Sequence, residues 1–345
     1  MNTRYLNFAA SFGLVFLFVY VLYIGKHLLI PLVIALVFWY IIVRLTDLYQ
    51  RIPFGRYHLH YGLALTISII TTGVVLYLFF LLLSHSISNI IQEAPKYEKR
   101  LQELLDFVNK LFGNHFQIDK LLAQIDLAKL FSRLALIVSD IASNFVLIVI
   151  YLLFLLLEHR TFNNKIKRMC KSKVQHGKIK HILDQIDHDI KHYLRIKTAV
   201  NAIAGVLSYI LLVSFGIQYA EFWGVLIFLL HYIPFIGPII AIVIVLLAVS
   251  VQVTTLVPFI ILAVILCIIQ FGVGNFLEPK WMGTRLNLSP IVILLSLAFW
   301  GAIWGVIGMF LCVPLMVIAN IILAKFPKTH PVAVALSAEG EVDSY

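Results

Sequence analysis

Apolar residues dominate eight separate stretches of this chain, and short polar or basic intervals divide them. Most of the stretches are close to the ~20 residues that an α-helix needs to cross a bilayer. They cover roughly 6–24, 28–43, 61–83, 134–157, 198–217, 222–250, 258–277 and 290–324. This pattern predicts an all-α integral membrane protein with about eight hydrophobic segments.

Two longer intervals between these segments mix apolar and polar residues at helical spacing. In 84–133, apolar residues recur at steps of three and four up to a break at "FGNH", and a second helix is predicted to follow. In 158–197, "HILDQIDHDIKHYLRI" places its apolar residues on one helical face. Both intervals are therefore predicted to form amphipathic helices outside the membrane.

The distribution of charge predicts which side of the membrane each interval occupies. Residues 158–197 carry eleven Lys and Arg against four Asp and Glu, and 44–60 carries three Arg against one Asp. Lys and Arg near the ends of spans favour the cytoplasm, so both intervals are expected to be cytoplasmic. The interval 84–133 is nearly neutral and follows three segments, which predicts an extracytoplasmic position. Lys325 and Lys328 follow the last apolar run, so the C-terminus, like the N-terminus, is expected in the cytoplasm.

The overall composition agrees with a membrane protein and argues against other classes. Hydrophobic residues make up 61% of the chain and charged residues 13%. The net charge of +10 comes almost entirely from the two cytoplasmic intervals, so topology and anionic lipid explain it without nucleic acid. Cys170, Cys267 and Cys312 suggest neither a disulfide framework nor a metal site, and no cofactor is expected. The first apolar run is interpreted as a retained span rather than a signal peptide.

The segment 222–250 is interrupted by "HYIPFIGP". Pro234 and Pro238 each lack an amide hydrogen, and Gly237 permits a sharp turn. As one helix the segment would rise about 43 Å, too long for one upright crossing and too short for two. A broken backbone at membrane depth is tolerated where protein or a water-filled cavity surrounds it. The pattern predicts a helical hairpin or a kinked span.

The segment 290–324 repeats this anomaly with Gly301, Gly305, Gly308 and Pro314 near its middle. Gly301 and Gly305 form a GxxxG pattern, which by itself indicates close helix packing. Two interrupted segments flanking a shared span, however, are typical of a transporter binding site. The pair predicts that the two breaks lie near the bilayer midplane and carry a small polar solute.

The linking stretch "QFGVGNFLEPKWMGTRLNLSP" contains three of the four charged residues between positions 198 and 324. Glu278 precedes Pro279, which is expected to end or kink the helix, and Asn275 lies one turn earlier on the same face. Such a carboxylate could bind solute or carry a proton. The alternative is an interfacial Glu278 paired with Lys280 or Arg285.

The quoted motifs carry a family resemblance. "HYIPFIGPIIA" and "GNFLEPKWMGTRLNLSPIVILLSLAFWGAIWGVIGMFLCVPL" resemble the C-terminal signature of the autoinducer-2 exporter family. The resemblance implies the bacterial inner membrane, a homo-oligomer such as a pentamer, and efflux, with autoinducer-2 export or sodium/proton exchange as associated activities. His231 departs from the family pattern, in which apolar or small residues are more usual.

Three functions follow as hypotheses. The first is ion-gradient-driven export of a small polar solute through Glu278, Asn275 and Pro279 together with the two breaks. The second is sodium(lithium)/proton antiport, for which Asp140, close to Ser143 and Asn144, is a second candidate carboxylate. The third is a non-transporting membrane scaffold. No GxxxxGK[ST] motif or protease constellation occurs, so neither an ATP-driven pump nor an enzyme is expected.

The resulting organisation assigns a role to each part of the chain. Proton or sodium, lipid and solute are the expected partners, and nucleic acid is not. The parts are 1–83 with the first three segments, 84–133 as the extracytoplasmic helical region, 134–157 as the fourth segment, 158–197 as the basic cytoplasmic region, 198–325 as the transport core, and 326–345 as the cytoplasmic tail.

Overall fold

A computed structural model of the chain describes residues 3–51, 59–112, 136, 139–140, 142–170, 172–253, 255–283 and 287–340. All regular structure in these ranges is helical, which confirms the all-α prediction. The helices are α1 (Thr3–Ile24), α2 (Lys26–Arg51), α3 (Tyr61–Phe112), α4 (Phe145–Met169), α5 (Lys173–Ser214), α6 (Ala220–Leu230), α7 (Ile236–Gln252), α8 (Leu256–Gly272), a π-helix (Val273–Leu277), α9 (Glu278–Met282), α10 (Pro290–Ala324) and α11 (His330–Leu336).

Five stretches among the described residues are long and apolar enough to cross a membrane. They are Lys26–Arg51, Tyr61–Ile87, Lys173–Ser214, Leu256–Met282 and Pro290–Ala324. Phe145–His159, Ala220–Leu230 and Ile236–Gln252 are apolar but shorter. The chain is therefore a multi-pass membrane protein, and the figure of about eight segments stays a prediction.

Two helices continue through positions where the sequence predicted a change of environment. Helix α3 runs for 52 residues to Phe112, through the expected boundary at 83 and up to the predicted "FGNH" break. Helix α5 runs for 42 residues through the boundary between 197 and 198. Spans and amphipathic helices are thus continuous because no Gly or Pro interrupts the helix at either junction. The remainder of the 84–133 region, 113–133, lies outside the described residues.

The chain divides into two compact units. The first comprises the described parts of Met1–Leu78, Asp140–His181 and Leu295–Cys312. In it, α2 packs along α4, and the Trp39 ring meets the His159 ring edge-on at a centroid distance of 5.4 Å. The hydroxyls of Thr46 and Ser68 join α2 to α3 at 3.1 Å.

The second unit comprises the described parts of Phe79–Ser139, Ile182–Leu294 and Val313–Tyr345. Its apolar core joins α5, α6, α7 and α8, with Trp223, Leu262 and Leu266 fully buried. Helices α5 and α6 approach closely at two glycines. A Cβ atom on Gly205 would lie 2.7 Å from the carbonyl oxygen of Gly224. Only small residues permit this crossing, as is common between membrane helices.

Much of the apolar side-chain surface faces outward rather than inward. Phe16 is 67% exposed, Val75 58% and Ile268 64%, and each belongs to a row of exposed apolar residues along its helix. An apolar surface of this extent would be unfavourable in water but is well solvated by lipid tails. The exposure supports the membrane environment that the composition predicted.

Helices α6 and α7 form an antiparallel hairpin rather than a kinked span. The amide of Gln218, just before α6, donates to the side-chain Oε1 of Gln252, the last residue of α7, at 2.6 Å. The two ends of the interrupted segment are therefore adjacent. Helix α7 rises about 26 Å and α6 about 16 Å, both short of the ~30 Å hydrocarbon core. The dimensions suit a re-entrant hairpin.

Helix α10 also reverses direction, at Gly305, whose φ of +63° and ψ of −142° are not helical. A Cβ atom on Gly308 would lie 2.0 Å from the carbonyl oxygen of Trp300. The Ser296 hydroxyl donates to the carbonyl oxygen of Cys312 at 3.3 Å, although 16 residues of straight helix would separate these residues by about 24 Å. The second interrupted segment is thus also a helical hairpin, with Gly305 at its tip.

Candidate functional site

The tip of the first hairpin is a tight turn over residues 231–235. The amide of Ile236 donates to the carbonyl oxygen of Pro234 at 2.6 Å, and Phe235 between them has a φ of +61° and a ψ of −54°. This is a γ-turn of the strained kind, which persists only where the surrounding structure holds it. Gly237 is the second residue of α7 and lies close to the Leu230 backbone. A Cβ atom on it would be 1.9 Å from the Leu230 carbonyl oxygen.

A buried ion pair joins α5 to α9. The ammonium of Lys197 donates to the carboxylate of Glu278, 81 positions further along the chain. The Lys197 side chain is 4% exposed and the Glu278 side chain is 24% exposed. The ammonium is therefore enclosed by the protein, whereas part of the carboxylate side chain lies on the surface.

Lys197 reaches this position because it belongs to the buried face of α5. That face repeats at three- and four-residue intervals through Tyr193, Lys197, Val200, Asn201, Ala204, Gly205, Ser208, Leu211 and Leu212. The repeat is the ordinary signature of a packed helical face, and a lysine on it must be paired. Ser208 on the same face accepts a hydrogen bond from the Gln270 amide of α8 at 3.0 Å. The two polar contacts show that α5 runs antiparallel to the α8–α9 stretch.

The π-helix sets the direction of Glu278. The backbone amide of Glu278 donates to the carbonyl oxygen of Val273, which lies five residues earlier rather than four. One extra residue in the turn rotates the following side chains by about 100°. The wider turn also makes room for Pro279, whose ring would clash with the carbonyl of a regular α-helix. The helix consequently continues through Pro279 to Met282 rather than ending there, and of the predicted end or kink the structure shows a local π-helical distortion just before the proline.

The same rotation separates Asn275 from Glu278, which the sequence had placed on one face. Asn275 is exposed, and its amide donates to the carbonyl oxygen of Phe271 in its own helix at 3.3 Å. Glu278 pairs with Lys197 rather than Lys280, and Arg285 lies outside the described residues. Among the described residues, the partner of Glu278 is thus a lysine from a distant part of the chain.

Two buried polar side chains near this ion pair have unpartnered atoms. His231 at the hairpin tip has no exposed surface, and the next residue, Tyr232, is hydrogen-bonded to Thr198, which follows Lys197. Its Nδ1 is 3.0 Å from the carbonyl oxygen of Ile227, and its Nε2 has no hydrogen-bond partner in the structure. Asn201, one turn after Lys197, is fully buried with both amide atoms unpartnered. We name Lys197, Asn201, His231 and Glu278 the polar cluster.

A hydrogen bond ties the first hairpin to α5 beside the polar cluster. The Tyr232 hydroxyl and the Thr198 hydroxyl are 2.7 Å apart, and both residues neighbour cluster members in the chain. Pro234, Gly237 and Pro238 shape the turn and the first turn of α7. They hold the backbone, and His231 is the buried polar side chain at the start of the turn.

The remaining predicted residues are described by their own surroundings. Gly301 and Gly305 belong to the tip of the second hairpin, where the Cβ of a residue at 301 would meet the Met309 side chain. Pro314 lies within the returning half of α10 and does not cause the break. Asp140 is exposed, and the Ser143 hydroxyl and Asn144 amide both donate to its backbone carbonyl oxygen, at 2.9 and 2.8 Å. These two side chains are therefore satisfied by the backbone.

Sequence reasoning missed Lys197, Asn201 and the importance of His231. Lys197 was counted among the basic cytoplasmic residues because it stands at the end of that interval. Its spacing from Tyr193 and Val200 was the signal that could have found it. No sequence signal linked it to Glu278, because the contact depends on how α5 packs.

The arrangement can bind a polar solute or exchange a proton. The buried Lys197 ammonium is stabilised only while its pair with Glu278 is intact. Binding of a proton or a solute to Glu278 would therefore weaken this pair. The partially exposed carboxylate is the member that can do so. Asn201 supplies a free donor and acceptor in the same region.

Comparisons with known proteins cover nearly the whole chain. The model of a family described as "AI-2E family transporter" matches residues 12–328. The "AI-2 transport protein TqsA" of Escherichia coli is 30% identical over 320 residues, covering 91% of this chain and 90% of that protein. A "Putative transport protein" of Haemophilus influenzae is 31% identical over 327 residues, covering 92% and 90%. The "Putative permease PerM" of Escherichia coli is 24% identical over 338 residues, covering 92% and 91%. The chain therefore belongs to the AI-2E family of transporters.

Proposed function

We propose that this protein exports a small polar solute of the autoinducer-2 type from the bacterial cytoplasm, driven by an ion gradient, with Glu278 as its most function-sensitive ionisable residue. The observation that carries the proposal is the buried Lys197–Glu278 pair beside the hairpin tip. Intramembrane ionisable residues are costly and mark transport pathways. The name of the similar protein TqsA supports the choice of solute class.

The asymmetry of exposure supports Glu278 as the proton-exchanging or solute-binding group. Lys197 is sealed by the protein, whereas a quarter of the Glu278 side chain is accessible. Protonation of Glu278 would leave Lys197 without its counter-charge and would favour a rearrangement of the elements that hold both. The proposal therefore couples a proton to a movement near the first hairpin.

The chain order of the second unit supports a transport pathway entered from both sides. The base of the first hairpin is at Gln218 and Gln252, before α8. The base of the second is at Ser289, whose amide donates to the carbonyl oxygen of Leu336 at 3.0 Å, after α8. If Leu256–Met282 crosses the bilayer once, the two bases lie on opposite sides. Interrupted segments flanking a shared span favour this kind of alternating access.

The positive charge of residues 158–197 indicates which side of the membrane each hairpin base faces. A cytoplasmic location for that interval puts the base of the first hairpin outside and that of the second inside, with both chain termini in the cytoplasm. We propose the inner membrane as the location and a homo-oligomer, such as a pentamer, as the assembly. Lipid and a coupling proton or sodium ion complete the set of partners.

Uptake into inside-out membrane vesicles tests the proposed role of Glu278. Labelled autoinducer-2 is supplied outside, with and without an imposed pH gradient. We expect Glu278→Gln to reduce gradient-driven uptake to the level without a gradient, because the amide cannot release a proton. Solute binding should persist in this variant.

Glu221→Gln is the matched control, because Glu221 is an exposed carboxylate at the start of α6. It should transport like the unmodified protein. Unchanged gradient-driven transport in both Glu278→Gln and Glu278→Ala would contradict the role of Glu278. No gradient-driven uptake by the unmodified protein would instead direct the search to other solutes, by comparing metabolites in medium and cytosol of null and overexpressing cells.

A further inference from the structure

His231 has no role in the transport scheme so far, although burying it is costly. The ring has no exposed surface, and one of its nitrogens lacks a hydrogen-bond partner. A buried polar atom without a partner destabilises the fold, so its presence calls for an explanation.

The contact with Ile227 defines the protonation of the ring. A carbonyl oxygen can only accept, so Nδ1, at 3.0 Å from that oxygen, carries the proton and donates it. In the neutral ring, Nε2 therefore presents a lone pair. A hydrogen-bond acceptor thus lies buried at the tip of the first hairpin.

A suitable donor lies close to this acceptor. The Lys197 ammonium has three N–H groups, of which Glu278 takes one. Thr198, which follows Lys197, is hydrogen-bonded to Tyr232, which follows His231, at 2.7 Å, and the ammonium sits at the end of a flexible four-carbon chain. Lys197 and His231 are therefore complementary neighbours that are not hydrogen-bonded to each other in this structure.

We propose that His231 Nε2 is a second acceptor for the Lys197 ammonium, which Lys197 takes when Glu278 is occupied by a proton or by solute. Without it, the buried ammonium would lose its counter-charge and keep only neutral oxygen acceptors, such as that of Asn201, which is destabilising. The exchange links the state of Glu278 to the hairpin tip that carries His231. His231 is in this sense a positioning residue. The use of this exchange in transport rests on the proposed function of Glu278. The experiment that tests the exchange does not depend on transport.

A thermodynamic cycle on the purified full-length protein tests the exchange. Glu278→Leu removes the first acceptor, and His231→Phe removes the second while keeping a planar ring. We expect the double variant to melt roughly 5 °C lower than the sum of the two single shifts, because Lys197 then has neither its counter-charge nor the imidazole acceptor. Thermal unfolding in detergent at neutral pH measures this without any solute.

Two further variants separate this role from a packing defect. Adding Lys197→Met to the double variant should restore the missing stability, because no ammonium then needs an acceptor. Replacing His231→Phe by His231→Gln, which keeps an acceptor oxygen, should make the combination with Glu278→Leu additive. If the double variant does not fold, recovery of a folded protein by Lys197→Met supports the proposal.

Additive shifts for Glu278→Leu and His231→Phe would overturn the proposal, as would a triple variant that is no more stable than the double. Failure of the Lys197 exchange can be distinguished from failure of the proposed transport function. A cycle that shows the coupling, in a protein whose uptake does not depend on Glu278, would retain the Lys197 exchange and reject the role in transport.

Discussion

At the residue scale, Gly237 is the position where one missing carbon atom decides the local structure. A Cβ atom there would lie 1.9 Å from the Leu230 carbonyl oxygen and 2.8 Å from its carbon. Both partners are backbone atoms and cannot rotate away. The hairpin tip, and with it the placement of His231, therefore depends on a glycine rather than only on the prolines.

Replacing Gly237→Ala should destabilise the protein by about 3 kcal/mol, because the turn must open to relieve the overlap. Gly73→Ala is the matched control, since a Cβ there would meet nothing within 4 Å. That change should be neutral or stabilising by up to about 1 kcal/mol, as expected for alanine in a helix. Denaturant unfolding in detergent measures both, and equal effects would contradict the close turn.

At the element scale, the hairpin formed by α6 and α7 has a simple geometric test. Cysteines at Gln218 and Gln252, in a chain with Cys170, Cys267 and Cys312 replaced, should be joined by a short thiol cross-linker. The hydrogen bond between these residues puts them side by side, whereas one continuous helix over the segment would separate them by about 50 Å. Peptide mass spectrometry detects the link.

Each cysteine alone serves as the control for this cross-link and should give no intrachain product. Absence of the link in the double variant, with both thiols reactive towards a monofunctional reagent, would favour a kinked span. The hairpin assignment, and the opposite orientation of the two hairpin bases, would then be withdrawn.

At the scale of the whole molecule, the length of α3 bears on assembly. At 52 residues it extends about 78 Å, against a hydrocarbon core of ~30 Å. Ile87 and Ile90 on it are buried, and the sequence continues their apolar spacing to Leu101 and Leu105. A helix with such a face beyond the membrane needs a packing partner.

We expect Leu101→Glu together with Leu105→Glu to weaken a homo-oligomer, because charges on that face oppose its burial against a neighbouring subunit. Glu103→Lys, a change at a position predicted on the polar face, should leave the assembly intact. Native electrophoresis of detergent extracts compares the three proteins. An oligomer unchanged by the paired Glu substitutions would exclude this contact.

The sequence by itself determined the membrane class, the helical content and the positions of both backbone breaks. These properties are local: apolar runs need lipid, and Pro and Gly act on the backbone within one turn. It also located Glu278 as the carboxylate of interest, because charged residues are scarce in that part of the chain.

Only the tertiary structure decided what those local features do. It showed that both breaks reverse the chain, that a π-turn carries the helix through Pro279, and that Glu278 faces Lys197 rather than Asn275. Each of these depends on contacts between residues far apart in sequence, such as the 81 positions between Lys197 and Glu278. Helical periodicity indicates which face of α5 is buried but not which side chain it meets, because the partner is chosen by how separate helices pack.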